Sequence, residues 1–126
     1  VLGLAYKRNV SDPRRSPSLP IVANLMRRGA AVKAYDPLLL QAGIKVPHVS
    51  QARSLEEAVQ GADVILLATD HDAFRKINLA RIRKLVAKSP ILFDARNFWD
   101  AGETSRIGYS YLGIGKPLIE SSRIPQ

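Results

Sequence analysis

Cations stand at the ends of two separated apolar runs of this 126-residue chain, and polar residues at the end of a third. Lys7, Arg8, Arg14 and Arg15 follow the apolar start Val1 to Ala5, and Arg96 follows the run that ends at Asp94. Thr69, Asp70, His71 and Asp72 follow a third run. Lysine offers a compact point charge and arginine a two-pronged fork, so such residues brought together would grip a diphosphate. The same cations could equally be spent on Asp12, Asp94 or another acid, and the sequence alone leaves both readings open. Asp70, His71 and Asp72 could ligate a metal or serve as an acid–base pair, but adjacent side chains converge poorly on one ion. The plainer reading of residues 69–72 is a helix-capping loop, with no metal site. His48 stands alone in a loop and takes no role. With no cysteine there is neither a thiolate ligand nor a sulfur nucleophile.

The elements that would carry these residues alternate. Val1 to Ala5 reads as a buried strand, and Ser16-Pro17 as the cap and first residue of a helix over 17–28. Leu19, Val22, Leu25 and Met26 form its inward face, and Gly29 supplies a left-handed end. A second strand covers residues 30–35. Asp36 then stands where a dinucleotide fold places its ribose ligand, but no G-x-G-x-x-G precedes it, so it reads as a turn-former before Pro37. Residues 38–53 give little pattern. Ser54-Leu-Glu-Glu57 is a capping box for a helix ending near Gly61, followed by a continuous apolar strand over 63–68. A helix over 78–88 faces Leu79, Ile82, Leu85 and Val86 inward and leaves Arg81, Lys84 and Lys88 as a solvated stripe. A strand over 90–94 follows, with Phe98 and Trp99 packed under a turn made with Gly102. The last strand covers 106–112, and the tail to Gln126 is loosely held.

This order predicts an α/β fold, a three-layer, mainly parallel, doubly wound (Rossmann-like) sheet of five or six strands with the first strand central. Ligands of such sheets bind at the carboxyl ends of the strands, where the strand order reverses. In the order 2-1-3-4-5 the loops carrying Lys7, Arg14, residues 69–72 and Arg96 all emerge on that edge.

Gly3-Leu-Ala-Tyr-Lys7 with Asp12-Pro-Arg14-Arg-Ser16-Pro17 resembles the segment that opens the C-terminal domain of the UDP-glucose/GDP-mannose dehydrogenases. Gly29-Ala-Ala-Val-Lys-Ala-Tyr35-Asp-Pro37, Ala62-Asp-Val-Ile-Leu-Leu-Ala-Thr69-Asp-His71, Asp94-Ala-Arg96-Asn97 and Tyr111-Leu-Gly-Ile-Gly115 continue the likeness in order. The resemblance implies that residues 1–126 are a nucleotide-sugar (UDP)-binding C-terminal domain. It places Lys7 and Arg96 beside the UDP-sugar with Tyr6 adjacent, and sends Arg14 toward NAD held by another domain. It implies oxidation of the sugar C6 alcohol to a carboxylate by a cytoplasmic, homo-oligomeric enzyme of polysaccharide biosynthesis. That chemistry uses two NAD molecules and a catalytic cysteine. The N-terminal NAD domain, the central helical domain and every catalytic residue would lie outside these 126 residues, so the chain by itself would be inactive. Residues 69–71 and 94–97 look more like the UDP-N-acetylhexosamine branch than the UDP-glucose branch. Arg15 departs from the family, which usually has glutamate there.

A net charge of +8 suits anionic partners generally. A basic nucleic-acid-binding domain and a freestanding nucleotide-binding or regulatory module are therefore the competing readings. The basic residues form no long block and no aromatic interleaving, which disfavours nucleic acid. No apolar run approaches the roughly 20 residues of a membrane span.

Overall fold

The structure is a computed structural model and describes residues 1–122. Three short parallel strands form its regular sheet: β1 (Val64–Leu67), β2 (Ile91–Asp94) and β3 (Ser110–Gly113), in the order β1-β2-β3. Val64 pairs with Ile91 and Ile91 with Ser110, so the three carboxyl ends lie level. Isolated bridges widen this ladder on both sides. Leu2 bridges Leu67 and Tyr35 in parallel, Ala34 bridges Gln51, and Ile119 runs antiparallel to Tyr111. The first segment therefore lies between the second and β1, which is the predicted 2-1-3-4-5 order. Its strand character is confined to a few rungs, with Leu2 donating to Leu66 O at 2.7 Å and accepting from Ala68 N at 2.9 Å.

The helices are α1 (Ser18–Arg27), α2 (Pro37–Ala42), α3 (Leu55–Val59), α4 (Leu79–Ile82) and α5 (Ala101–Ile107), with a 3-10 turn at Asp72–Lys76. One cluster joins Leu2, Ile65, Leu67, Leu92 and Tyr111 of the ladder to Phe74, Leu79, Ile82 and Phe98. A second joins Leu4, Ala5 and Ala34 to Val22 of α1 and Leu39 of α2. Ser54 caps α3 as its capping box requires, accepting from Glu57 N at 3.1 Å, although the Glu57 carboxylate returns to Arg53 N.

Several expected elements differ. The first helix begins one residue later than Pro17, with Ser16 Oγ accepting from Ser18 N at 3.2 Å, and Met26 lies exposed beside the buried Val22. The helix over 78–88 stops at Ile82. Beyond it, Arg83 donates to Gly108 O, Ala87 O and Lys88 O and so satisfies carbonyls in an irregular turn. The strand over 106–112 is corrected to the end of α5 followed by β3, and Gly102 lies inside α5. Asp100 explains this, because its carboxylate accepts from Glu103 N at 2.8 Å and caps a helix there. The tail is held as far as Ser122, whose amide donates to Ser105 O; residues 123–126 lie outside the described residues.

Candidate functional site

The carboxyl edge of the sheet is built by close approach. Gly3 has a φ of 95°, and a Cβ there would lie 2.5 Å from Thr69 Cβ and 2.6 Å from Thr69 N. A side chain is thus excluded both by space and by backbone conformation. Thr69 Oγ1 donates to Ala5 O at 2.7 Å and Ser16 Oγ donates to the same carbonyl at 3.1 Å. These two bonds fix where the chain leaves the sheet and enters the basic loop. Tyr6 N closes that loop on Asp12 O at 2.8 Å.

Residues 70–72 then hold the loop one residue at a time. Asp70 Oδ2 accepts from Arg8 Nε and Nη2 at 3.2 and 2.7 Å. His71 Nδ1 accepts from Asn9 N at 2.9 Å, and Asp72 exchanges bonds of 2.8 and 2.9 Å with the Asn9 side chain. His71 is wholly buried, and its Nε2 lies 2.9 Å from Asp36 Oδ2. An amide N–H can only donate, so Nδ1 is the acceptor and Nε2 carries the hydrogen toward Asp36. The expectation of a mere helix-capping loop is therefore corrected, since this tetrapeptide positions the basic loop. The acid–base reading of Asp70-His71 falls with it, because a fully buried imidazole with both nitrogens engaged has no access to substrate. Among the described residues no group of three or more His, Cys, Asp or Glu could hold a metal ion.

Of the sequence-derived residues, Tyr6 and Lys7 lie exposed on the loop, with Lys7 Nζ 5.8 Å from the Tyr6 ring centroid. Lys7 makes no ion pair among the described residues. Arg14 is forked onto Asp12, with Nε–Oδ1 3.0 Å and Nη2–Oδ2 2.9 Å, and its side chain is 86% exposed. Arg14's side-chain hydrogen bond, the largest influence, holds the Asp12 carboxyl down at about 2. The Arg96 guanidinium does not pair with Asp94. Its Nε lies 3.5 Å from Asp70 Oδ1, which puts Arg96 and Arg8 on the same carboxylate. Burial raises the Asp70 pKa, but the Arg8 hydrogen bond together with the charges of Arg96 and Arg8 outweighs it and holds the group below its ordinary value. Asp94 is fully buried and accepts from Arg96 N, Phe98 N, Trp99 N and the Tyr111 hydroxyl. It shapes the loop that presents Arg96. The structure thus brings Arg96 to the basic loop and leaves Arg14 engaged locally with Asp12.

Sequence reasoning gave Arg8 no role of its own and Asp70 no part in holding the loop, and its reading of Asp36 as a turn-former before Pro37 is borne out but incomplete. Asp36 N-caps α2 and also accepts from Leu4 N and Ala5 N at 2.8 and 3.0 Å. Its position at the end of a strand, directly before proline, was a visible signal. The Arg8–Asp70 pair spans 62 residues and left no local trace.

A parallel α/β sheet whose carboxyl edge gathers cations from separate loops defines a Rossmann-like domain with a cationic rim. The profile described as "UDP-glucose/GDP-mannose dehydrogenase family, UDP binding domain" matches residues 1–101, and the chain belongs to that family. It is 34% identical over 124 residues to UDP-glucose 6-dehydrogenase TuaD of Bacillus subtilis, covering 97% of this chain and 27% of that protein. Among solved structures it resembles an NDP-N-acetyl-D-galactosaminuronic acid dehydrogenase from Methanosarcina mazei, with TM-score 0.81 and 30% identity over 91% of this chain and 24% of that one. A UDP-D-ManNAc dehydrogenase from Pyrococcus horikoshii gives TM-score 0.72 and 36% identity, over 90% of this chain and 24% of that one. The chain therefore spans about a quarter of the length of these relatives.

Proposed function

We propose that this chain is the UDP-sugar-binding domain of an NAD-dependent nucleotide-sugar 6-dehydrogenase, which oxidises the sugar C6 alcohol to a uronate. The observation that carries the reading is the meeting of Arg8 and Arg96 on Asp70 beside an unpaired Lys7, at the carboxyl edge of the family's UDP-binding domain. In this reading Lys7 and Arg96 bind the UDP-sugar and Tyr6 borders it. The names of the archaeal neighbours favour an N-acetylhexosamine as the sugar, whereas TuaD and its relatives are named for UDP-glucose.

NAD does not fit this chain as its resident cofactor. Ala5 leads into a basic loop and not into a glycine-rich turn, and the acid after the second segment, Asp36, is buried and fully engaged. Arg14 alone would serve the cofactor, from an exposed position and after releasing Asp12. The NAD domain, the central helical domain and the catalytic cysteine would be supplied outside these residues, in a cytoplasmic homo-oligomer. No helix among the described residues is long and apolar enough to cross a membrane.

Calorimetric titration of UDP-sugar into the intact dehydrogenase tests the reading. A charge-assisted hydrogen bond contributes about 1.5–3 kcal/mol, so Lys7→Ala and Arg96→Ala should each weaken binding roughly ten- to a hundredfold. Arg14→Ala should leave UDP-sugar affinity alone and raise KM for NAD. Wild-type affinity in both Lys7→Ala and Arg96→Ala would sink the assignment. Binding to nucleic acid that UDP fails to displace would favour a basic nucleic-acid domain instead.

A further inference from the structure

Arg8 stands beside Lys7, yet the proposed function gives it no contact with the ligand. The geometry points to Arg8 as a second guanidinium of the diphosphate site, with Asp70 as the positioning residue that sets Arg8 and Arg96 side by side. This inference rests on the UDP-sugar reading and deepens it.

Two loops from different strands carry the same dipeptide, Arg8-Asn9 and Arg96-Asn97. Both asparagines have a left-handed backbone, with φ of 61° and 53°, a conformation that costs energy and gathers at binding sites. Both arginines reach the same carboxylate. Arg8 gives Nε and Nη2 to Asp70 Oδ2, and Arg96 Nε approaches Oδ1 at 3.5 Å. The two side chains stay 58% and 48% exposed while the Asp70 side chain is only 8% exposed. Arg8 Nη1 makes no hydrogen bond among the described residues, and neither do the Arg96 guanidinium nitrogens. A single carboxylate thus spaces two forks and leaves N–H groups of each free for phosphate oxygens. It cancels one of the two charges, so the pair remains net cationic.

Asp70 Oδ1 is buried and makes no hydrogen bond. An acceptor in that state is costly unless a partner arrives, and Arg96 Nε is the nearby donor. Tightening of the Arg96 Nε–Oδ1 approach as phosphate draws in both guanidiniums satisfies it.

A purely structural role for Arg8 is the weaker explanation. Asn9 already fastens the same loop through three bonds, to His71 and to both sides of Asp72. The Arg8–Asp70 pair is a further tie, but its arginine end stays 58% exposed and its Nη1 makes no hydrogen bond among the described residues. That end can add much to anion binding, where the fork matches phosphate oxygens.

The test titrates UDP and uridine separately into the intact dehydrogenase that carries this domain. Arg8→Ala should weaken UDP about ten- to a hundredfold and leave uridine unchanged, because the lost partner is phosphate. Arg8→Lys should recover part of the loss, as a point charge replaces a fork. Asp70→Asn gives the decisive sign. If charge alone mattered, deleting a negative group would tighten UDP; positioning predicts weaker UDP, with recovery in Asp70→Glu. Should Asp70→Asn fail to fold, Arg8→Ala still decides, since the Asn9 bonds remain. Wild-type UDP affinity in Arg8→Ala, with Lys7→Ala and Arg96→Ala impaired, overturns the role of Arg8 and spares the functional reading. Absence of UDP binding in the wild type overturns that reading itself. Equal or tighter UDP binding in Asp70→Asn overturns the positioning role.

Discussion

The Asp36 carboxylate accepts five hydrogen bonds while almost wholly buried. Oδ2 takes Leu4 N, Ala5 N and His71 Nε2, and Oδ1 takes Leu38 N and Leu39 N at 3.0 and 3.3 Å. One carboxylate therefore ties the first segment, the start of α2 and the loop after β1. Burial pushes its pKa up, but the His71 bond and the Leu4 and Ala5 amides outweigh that and hold it below the ordinary value. A depressed carboxylate stabilises the fold above the unfolded pKa, and that contribution is lost as pH falls through the folded value. Asp36→Asn presents an NH2 group to donors and leaves buried amides unsatisfied, so it should cost about 3 kcal/mol at neutral pH. The gap from wild type should narrow as pH falls below the carboxylate range. Urea unfolding across that range checks both expectations, and a pH-independent gap would show that the charge of Asp36 does not matter.

At the scale of elements, the helix–strand alternation was legible because β1 and β2 are unbroken runs of β-favouring residues and Ser54 caps α3 in plain view. Their register followed from topology. The end of the chain was harder to read. Thr104, Ser105 and Arg106 carry no apolar stripe, so in the sequence α5 was marked only by the Asp100 cap and by Gly108, whose φ of 122° ends it. The brief pairing at Leu2, Ala34 and Gln51 was equally hidden, since side chains do not reveal how many rungs a strand forms. At the candidate site, the placement of Lys7 and Arg96 in loops after strands was legible from the chain order, whereas the Asp70 bridge depends on a loop-to-loop distance that no local pattern encodes. Gly3 joins the two scales. In Gly3→Ala the new methyl would collide with Thr69, whose hydroxyl anchors Ala5 O. The cost should be about 3 kcal/mol, combining overpacking with a positive φ. Thermal unfolding measures it, and a cost within experimental error would mean the two segments can part freely.

Within the whole molecule, the carboxyl edge of the sheet is where charge is sorted by depth. Asp36, Asp70 and Asp94 are buried at the carboxyl edge, where they hold amides, an imidazole and guanidiniums, while Lys7, Arg8, Arg14 and Arg96 stay exposed around them. At that edge acids serve as scaffold and bases as surface, and in the proposed reading this presents part of the formal +8 to phosphate. Binding and chemistry are separable on this plan. Oxidising an alcohol to a carboxylate needs a place for hydride to go and, in the proposed chemistry, a thiol to hold the intermediate. This chain has no cysteine and shapes no dinucleotide cradle among its described residues. Mixed with NAD and either UDP-glucose or UDP-N-acetylmannosamine, the purified 126-residue chain should form no NADH above the enzyme-free rate. Absorbance of the reduced nicotinamide reads this directly. Sustained NADH formation, abolished by Lys7→Ala, would place the chemistry within these residues and overturn the division of labour between this domain and the rest of the enzyme.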